Sequence, residues 1–152
     1  LKKKQFSKYD FSRLHPGGNL GRQLKTVGDI MVLGNKIPFI TENKNMKETL
    51  KIISEKKLGV VVVRNRKKIT TGIITDGNVR KLRQKNIDFQ KTLVKNVMTK
   101  NPITIDSDTL AIKALRIMNE KKITSLCVHK NNKLNKTTGL IHIHHILDAN
   151  IE

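Results

Sequence analysis

The 152-residue sequence predicts an α/β (α+β) protein made of two copies of one β-α-β-β-α unit, on three observations. Glu55-Lys56-Lys57 returns as Glu120-Lys121-Lys122, an offset of 65 residues, and the flanking residues obey the same shift. Apolar residues recur at helical spacing in both copies. Short β-branched runs bounded by turn residues follow each helical stretch.

Each copy opens on a matching tripeptide, Asp29-Ile30-Met31 and then Asn96-Val97-Met98, followed by Pro38 and Pro102. The prolines lead into Ile37 to Thr41 and Ile103 to Asp106, which read as edge strands because proline cannot donate to a ladder. Met46, Thr49, Leu50 and Ile53 stand at i, i+3, i+4 and i+7, and Ala111, Ala114, Leu115 and Met118 repeat that spacing, so each helix should bury one stripe. Asn43 and Asp108 are the expected N-caps.

Val60 to Val63 is a continuous β-branched run, replaced in the second copy by Ser125-Leu126-Cys127-Val128. Unbroken apolar runs fit central strands covered on both faces. Polar turns at Asn65 to Lys68 and Lys130 to Thr138 lead to strands Ile69 to Thr75 and Gly139 to His142. A second helix should then begin near Asn78 or His145.

Composition bounds the function classes. The formal charge is +19, with 31 basic against 12 acidic residues, which alone points to an anionic partner. The lysines are spread along the chain and outnumber arginines, Trp is absent and Tyr9 is the sole tyrosine, so nucleic-acid readout lacks both its stacking platforms and its bidentate arginines. No run approaches the length of a membrane span, and Leu1 to Lys4 bring charge with no apolar stretch behind them, so neither a membrane anchor nor a secretory signal is expected. Leu1 stands where an initiator methionine would, which suggests a piece of a longer protein. The single cysteine, Cys127, lies in an apolar run and reads as a core residue of a reducing, cytoplasmic protein.

A β-α-β-β-α repeat with a D-I-M or N-V-M lead and a Gly72-Ile73-Ile74-Thr75 or Gly139-Leu140-Ile141-His142 strand resembles a CBS domain. Two in series resemble a Bateman module, a pseudo-twofold pair spanning about Val27 to Glu152. Ahead of them, His15-Pro16-Gly17-Gly18-Asn19-Leu20-Gly21 resembles the exit from the sugar isomerase domain of D-arabinose 5-phosphate isomerases, and Asp76, Gly77 and Arg80 behind Thr75 strengthen that likeness. The resemblance divides the chain into an arm over 1–26, repeat 1 over 27–90 and repeat 2 over 91–152.

The resemblance implies a regulatory or oligomerising module of an enzyme that interconverts D-ribulose 5-phosphate and D-arabinose 5-phosphate, towards Kdo and lipopolysaccharide. In that family the histidine at the His15 position takes part in catalysis, and an imidazole suits proton transfer near neutral pH. The chain alone is expected not to catalyse, because the other catalytic groups would lie ahead of Leu1. The implied partners are the chain's own sugar isomerase domain and other copies of itself, as a dimer here and a tetramer in the parent. Alternatives are a stand-alone adenosine-nucleotide sensor and, with least support, a basic nucleic-acid-binding domain.

CBS pairs bind adenosine nucleotides between the repeats, with a strand-end Thr or Ser and an Asp three residues later. Thr75 is present here, but Asn78 stands at the Asp position, and His142 and His145 occupy the equivalents in repeat 2. The ligand-cleft candidates are therefore Thr75, Asn78, Arg80, Thr104, Ser125, His142 and His145, with an adenosine nucleotide or CMP-Kdo as candidate ligand. Against that stands a purely structural role in which Thr75 and Asn78 cap the helix. No metal site is expected at His142-x-His144-His145, since zinc needs three or four convergent donors.

Overall fold

The computed structural model describes residues 19–131, 133 and 135–151. Two short helices, α1 (Asn19–Gln23) and α2 (Val27–Ile30), precede β1 (Phe39–Thr41), α3 (Met46–Lys56), β2 (Val60–Arg64), β3 (Thr70–Thr75), α4 (Asp76–Gln84) and β4 (Thr99–Lys100). The second half repeats the order as β5 (Thr104–Asp106), α5 (Ala111–Lys121), β6 (Ser125–His129), β7 (Gly139–His142) and α6 (Ile143–Asp148). The sheets run β1-β2-β3-β4 and β5-β6-β7, each opening with a parallel pair and continuing antiparallel.

The expected elements are present, with shifted ends. The proline-led strands lie at the sheet edges and start one or two residues later than expected, at Phe39 and Thr104. The caps move two residues towards the C-terminus. Asn45, not Asn43, caps α3 by accepting from the Glu48 N–H at 3.0 Å, and Leu110, not Asp108, precedes α5 with no side-chain cap. Asp108 instead lies in a turn, its N–H held by Asp106 Oδ1 at 2.8 Å. The second helices begin at Asp76 and Ile143, ahead of Asn78 and His145, because Thr75 and His142 already take the extended N-cap conformation. The β4 strand has no clear signal in the sequence: its two residues are exposed and pair only with Gly72 and Ile73.

Burial follows the stripes. Ala111, Ala114, Leu115 and Met118 are all buried, as are Met46 and Thr49 in α3, while Leu50 and Ile53 pack half-buried on the same core. Val60 to Val63 are covered on both faces. The faces of β2, β6 and β7 turned towards each other bring Val60, Val62, Cys127 and Leu140 into one apolar cluster that joins the halves.

The lead segments are exchanged between the two halves. Val27 belongs to the core of the second sheet, where its N–H bonds Thr109 O at 2.8 Å, and Val32 bridges Leu140. Reciprocally, Val94 lies in the core of the first sheet, its N–H bonding Lys44 O at 2.8 Å, and Thr99 pairs with Ile73. Neither half buries its own apolar surface without a segment of the other. Units of about 60 residues are short of core on their own, and the exchange enlarges what each buries.

Candidate functional site

The end of β3 and the start of α4 form one wall of a cavity of about 450 Å³ between the halves. Gly59 and Val60 line it at the start of β2, Thr99, Asn101, Pro102 and Ile103 from the crossing segment between β4 and β5, and Lys122 to Ser125 with Cys127 and Leu140 from the second half. The volume suits a ligand of nucleotide or sugar-phosphate size. Its floor is largely aliphatic, drawn from Val60, Ile73, Ile103, Ile123 and Leu140 together with Cys127. Its polar lining comes from Thr75, Thr99, Thr124 and Ser125, from Asn101, and from Asp76, Arg80 and Lys122, of which Asp76 brings the one carboxylate.

Local conformation places these groups. Thr75 is extended (φ −120°, ψ 172°) and turns the chain from strand into helix, so Asp76 and Arg80 follow one turn apart on α4. Gly59 has φ +68°, a left-handed conformation in which a side chain is strained, and a Cβ there would also lie 3.3 Å from Asp76 Oδ2. Lys122, the C-cap of α5, has φ 58° and enters the wall from the opposite half.

Of the residues expected to form the cleft, Thr75, Arg80 and Ser125 line this cavity, and Thr104, Asn78, His142 and His145 do not. Asn78 is engaged elsewhere. Its Oδ1 accepts from Thr75 N–H at 2.9 Å and from the Thr75 hydroxyl at 3.1 Å, while Nδ2 donates to Val97 O at 3.2 Å and to Thr99 Oγ1 at 3.3 Å. Thr104 sits in β5, paired with Cys127, next to the lining residue Ile103.

The histidines at the equivalent positions of the second half also bond to each other. His145 Nδ1 accepts from His142 N–H at 3.2 Å, and His142 Nδ1 accepts from His144 N–H at 3.1 Å, so both rings cap α6. Burial lowers the pKa of each below its ordinary value, helped at His142 by its two histidine neighbours and opposed at His145 by Asp148. Among the described residues no group of three or more His, Cys, Asp or Glu is arranged to hold a metal. His15 lies outside the described residues.

Sequence reasoning missed Asp76, Thr99, Lys122 and Thr124. Asp76 carried a signal, being a charged residue beside the strand-end Thr75. The other three come from elements whose packing against β3 is a tertiary matter.

No described helix is long and apolar enough to cross a membrane. The CBS domain family matches twice, over residues 27–85 and 94–152. The arabinose 5-phosphate isomerase KdsD of Yersinia pestis is 34% identical over 152 residues, which cover 99% of this chain and 45% of that protein. An uncharacterized protein of Rickettsia prowazekii, RP505, is 36% identical over 148 residues, 96% of this chain and 44% of that one. The chain thus spans just under half the length of these curated relatives. Among solved structures, CBSX2, a CBS-pair protein of Arabidopsis thaliana, in complex with AMP superposes with a TM-score of 0.69 at 22% identity, covering 83% of this chain and 96% of that one. A CBS domain pair, MJ0100, in complex with 5-methylthioadenosine and S-adenosyl-L-methionine gives a TM-score of 0.70 at 21% identity, over 82% of this chain and 94% of that one.

Proposed function

The chain belongs to the CBS domain family, of which it carries two copies, and from that premise we propose that it is the regulatory and assembly module of a cytoplasmic arabinose 5-phosphate isomerase. The observation that carries this reading is the reach of the isomerase match. It covers 99% of the chain and therefore takes in residues ahead of 27, where the CBS family itself does not match. A general nucleotide-sensing pair has no need of that arm.

In this reading the isomerase domain precedes the arm, His15 contributes to its proton transfer, and the CBS pair binds a regulatory ligand in the cleft or joins copies of the chain. Thr75, Arg80 and Ser125 line the cavity where such a ligand would sit. An adenosine nucleotide has support from CBSX2 with AMP. CMP-Kdo rests on the pathway that the isomerase reading implies.

Two measurements test the proposal. The intact gene product should interconvert D-ribulose 5-phosphate and D-arabinose 5-phosphate, and removal of residues 27–152 should change its rate, its ligand response or its oligomeric state. Calorimetry of the chain with AMP, ADP, ATP and CMP-Kdo should give heat with at least one. Activity and assembly identical with and without the pair, together with no heat at millimolar ligand, would defeat the reading. A stand-alone sensor would bind a nucleotide with no isomerase activity in the intact product.

A further inference from the structure

The residue that follows the strand-end threonine is a carboxylate without a partner among the described residues. Asp76 is exposed, lines the cavity, and makes no side-chain hydrogen bond or ion pair among the described residues. Arg80, four residues on, lines the same cavity and is likewise unpaired among the described residues, although that spacing commonly forms a helical ion pair. Lys122 lines the same cavity from the other half.

Position 78 is in the opposite state. Both ends of the Asn78 amide are occupied, Oδ1 by Thr75 and Nδ2 by Val97 O and Thr99 Oγ1, and the side chain does not line the cavity. A ligand could reach Asn78 only by breaking the cap of α4 and its tie to β4.

Given the reading of this cavity as a ligand site, we propose that Asp76, not residue 78, is its hydroxyl acceptor, and that the ligand is a phosphomonoester carried on a polyhydroxyl ring or chain. The chemistry of the lining argues for it. An ionised carboxylate only accepts, and its two oxygens match a pair of neighbouring hydroxyls. Arginine and lysine supply only donors, which suit a phosphate, and two cations against one carboxylate leave the site with room for an anion. The aliphatic floor adds a face for a base or a carbon skeleton. Gly59 keeps the space above the Asp76 carboxylate free of a side chain. Ribonucleotides and sugar phosphates share this chemistry.

The test is calorimetric titration of the chain with AMP, with 2′,3′-dideoxyadenosine 5′-monophosphate and with ribose 5-phosphate, using wild type, Asp76→Asn, Asp76→Ser and Arg80→Ala. Thermal unfolding of each variant checks that it folds, and the serine variant serves where the asparagine one does not. Loss of the carboxylate should weaken AMP and ribose 5-phosphate about tenfold or more while leaving the dideoxy compound within twofold. Arg80→Ala should weaken every ligand that binds. Binding of ribose 5-phosphate as tightly as AMP would identify the sugar-phosphate source; preference for AMP would identify the nucleotide. Equal weakening of AMP and its dideoxy form, or no weakening, would remove Asp76 from the role while leaving the cleft a ligand site. A wild-type chain that binds none of the three overturns the inference, and if the wider panel of nucleotides and CMP-Kdo also fails, the reading of the cleft as a ligand site falls with it.

Discussion

Met98 lies so close over Gly72 that a Cβ on the glycine would fall 2.7 Å from the methionine sulfur and 2.8 Å from the Thr99 carbonyl oxygen. The same contact recurs in the other direction, where Met31 packs on Gly139 of the second sheet. Each methionine closes the lead tripeptide of one repeat and is seated on a strand of the other. The glycines are needed for this close approach, and the two sites should respond differently to a methyl group.

At Gly72 the obstruction includes backbone, so Gly72→Ala must displace β4 from β3 and should cost about 2–3 kcal/mol, a typical overpacking penalty that outweighs the gain in strand propensity. At Gly139 the three nearest atoms all belong to the Met31 side chain, which can swing aside, so Gly139→Ala should cost only about 1 kcal/mol. Urea unfolding of the two variants measures the difference; a cost at Gly139 equal to or above that at Gly72 would contradict it.

Asn78 acts as a strut between α4 and the crossing segment. Asn78→Asp keeps the acceptor for Thr75 but removes both amide hydrogens and sets a carboxylate oxygen against the Val97 carbonyl, so it should destabilise the fold by roughly 1–3 kcal/mol. Asn78→Ala should cost a similar amount. Amide hydrogen exchange in 97–100 should rise in both, and unchanged protection there would show that the strut contributes nothing.

The α6 cap needs neutral imidazoles, because each Nδ1 must accept. With both folded pKa values lowered, chiefly by burial, the unfolded chain binds more protons than the folded one once the pH drops below about 6.5. The stability contributed by the cap is therefore complete above that pH and is lost as the pH falls through the lower folded values. His145→Asp supplies an acceptor that stays ionised in that range and should flatten the decline. Denaturant midpoints at pH 7.5 and 5.5 decide it: an equal fall in wild type and variant would rule out the cap as the source.

Cys127 is 2% exposed at the cavity floor, and burial pushes its thiol up to about 11 from 9.0, leaving about a hundredfold less thiolate near neutral pH. Alkylation by iodoacetamide at pH 7.5 should be negligible in the folded chain and rapid in denaturant. Fast labelling of the native protein would show that the floor opens.

The sequence by itself determined the repeat, the order of its elements and the faces they bury, because these depend on spacing within single elements. Met46 and Thr49, and Ala111 to Met118, could be read as buried stripes from a helical period alone. The caps at Asn45 and Leu110 were misplaced by two residues, since nearby polar residues compete equally for that position and backbone conformation selects among them. Tertiary structure alone decided which sheet each lead segment joins, as Val27 and Val94 would fit either core by hydrophobicity. It also decided that Asp76, and not Asn78, joins Thr75 in lining the cleft. That choice depends on Val97 and Thr99, 19 and 21 residues beyond Asn78, whose oxygens draw the amide away and leave the Asp76 carboxylate to line the cavity. A hydrogen bond between distant segments leaves no local period to read, so it enters only when the halves pack.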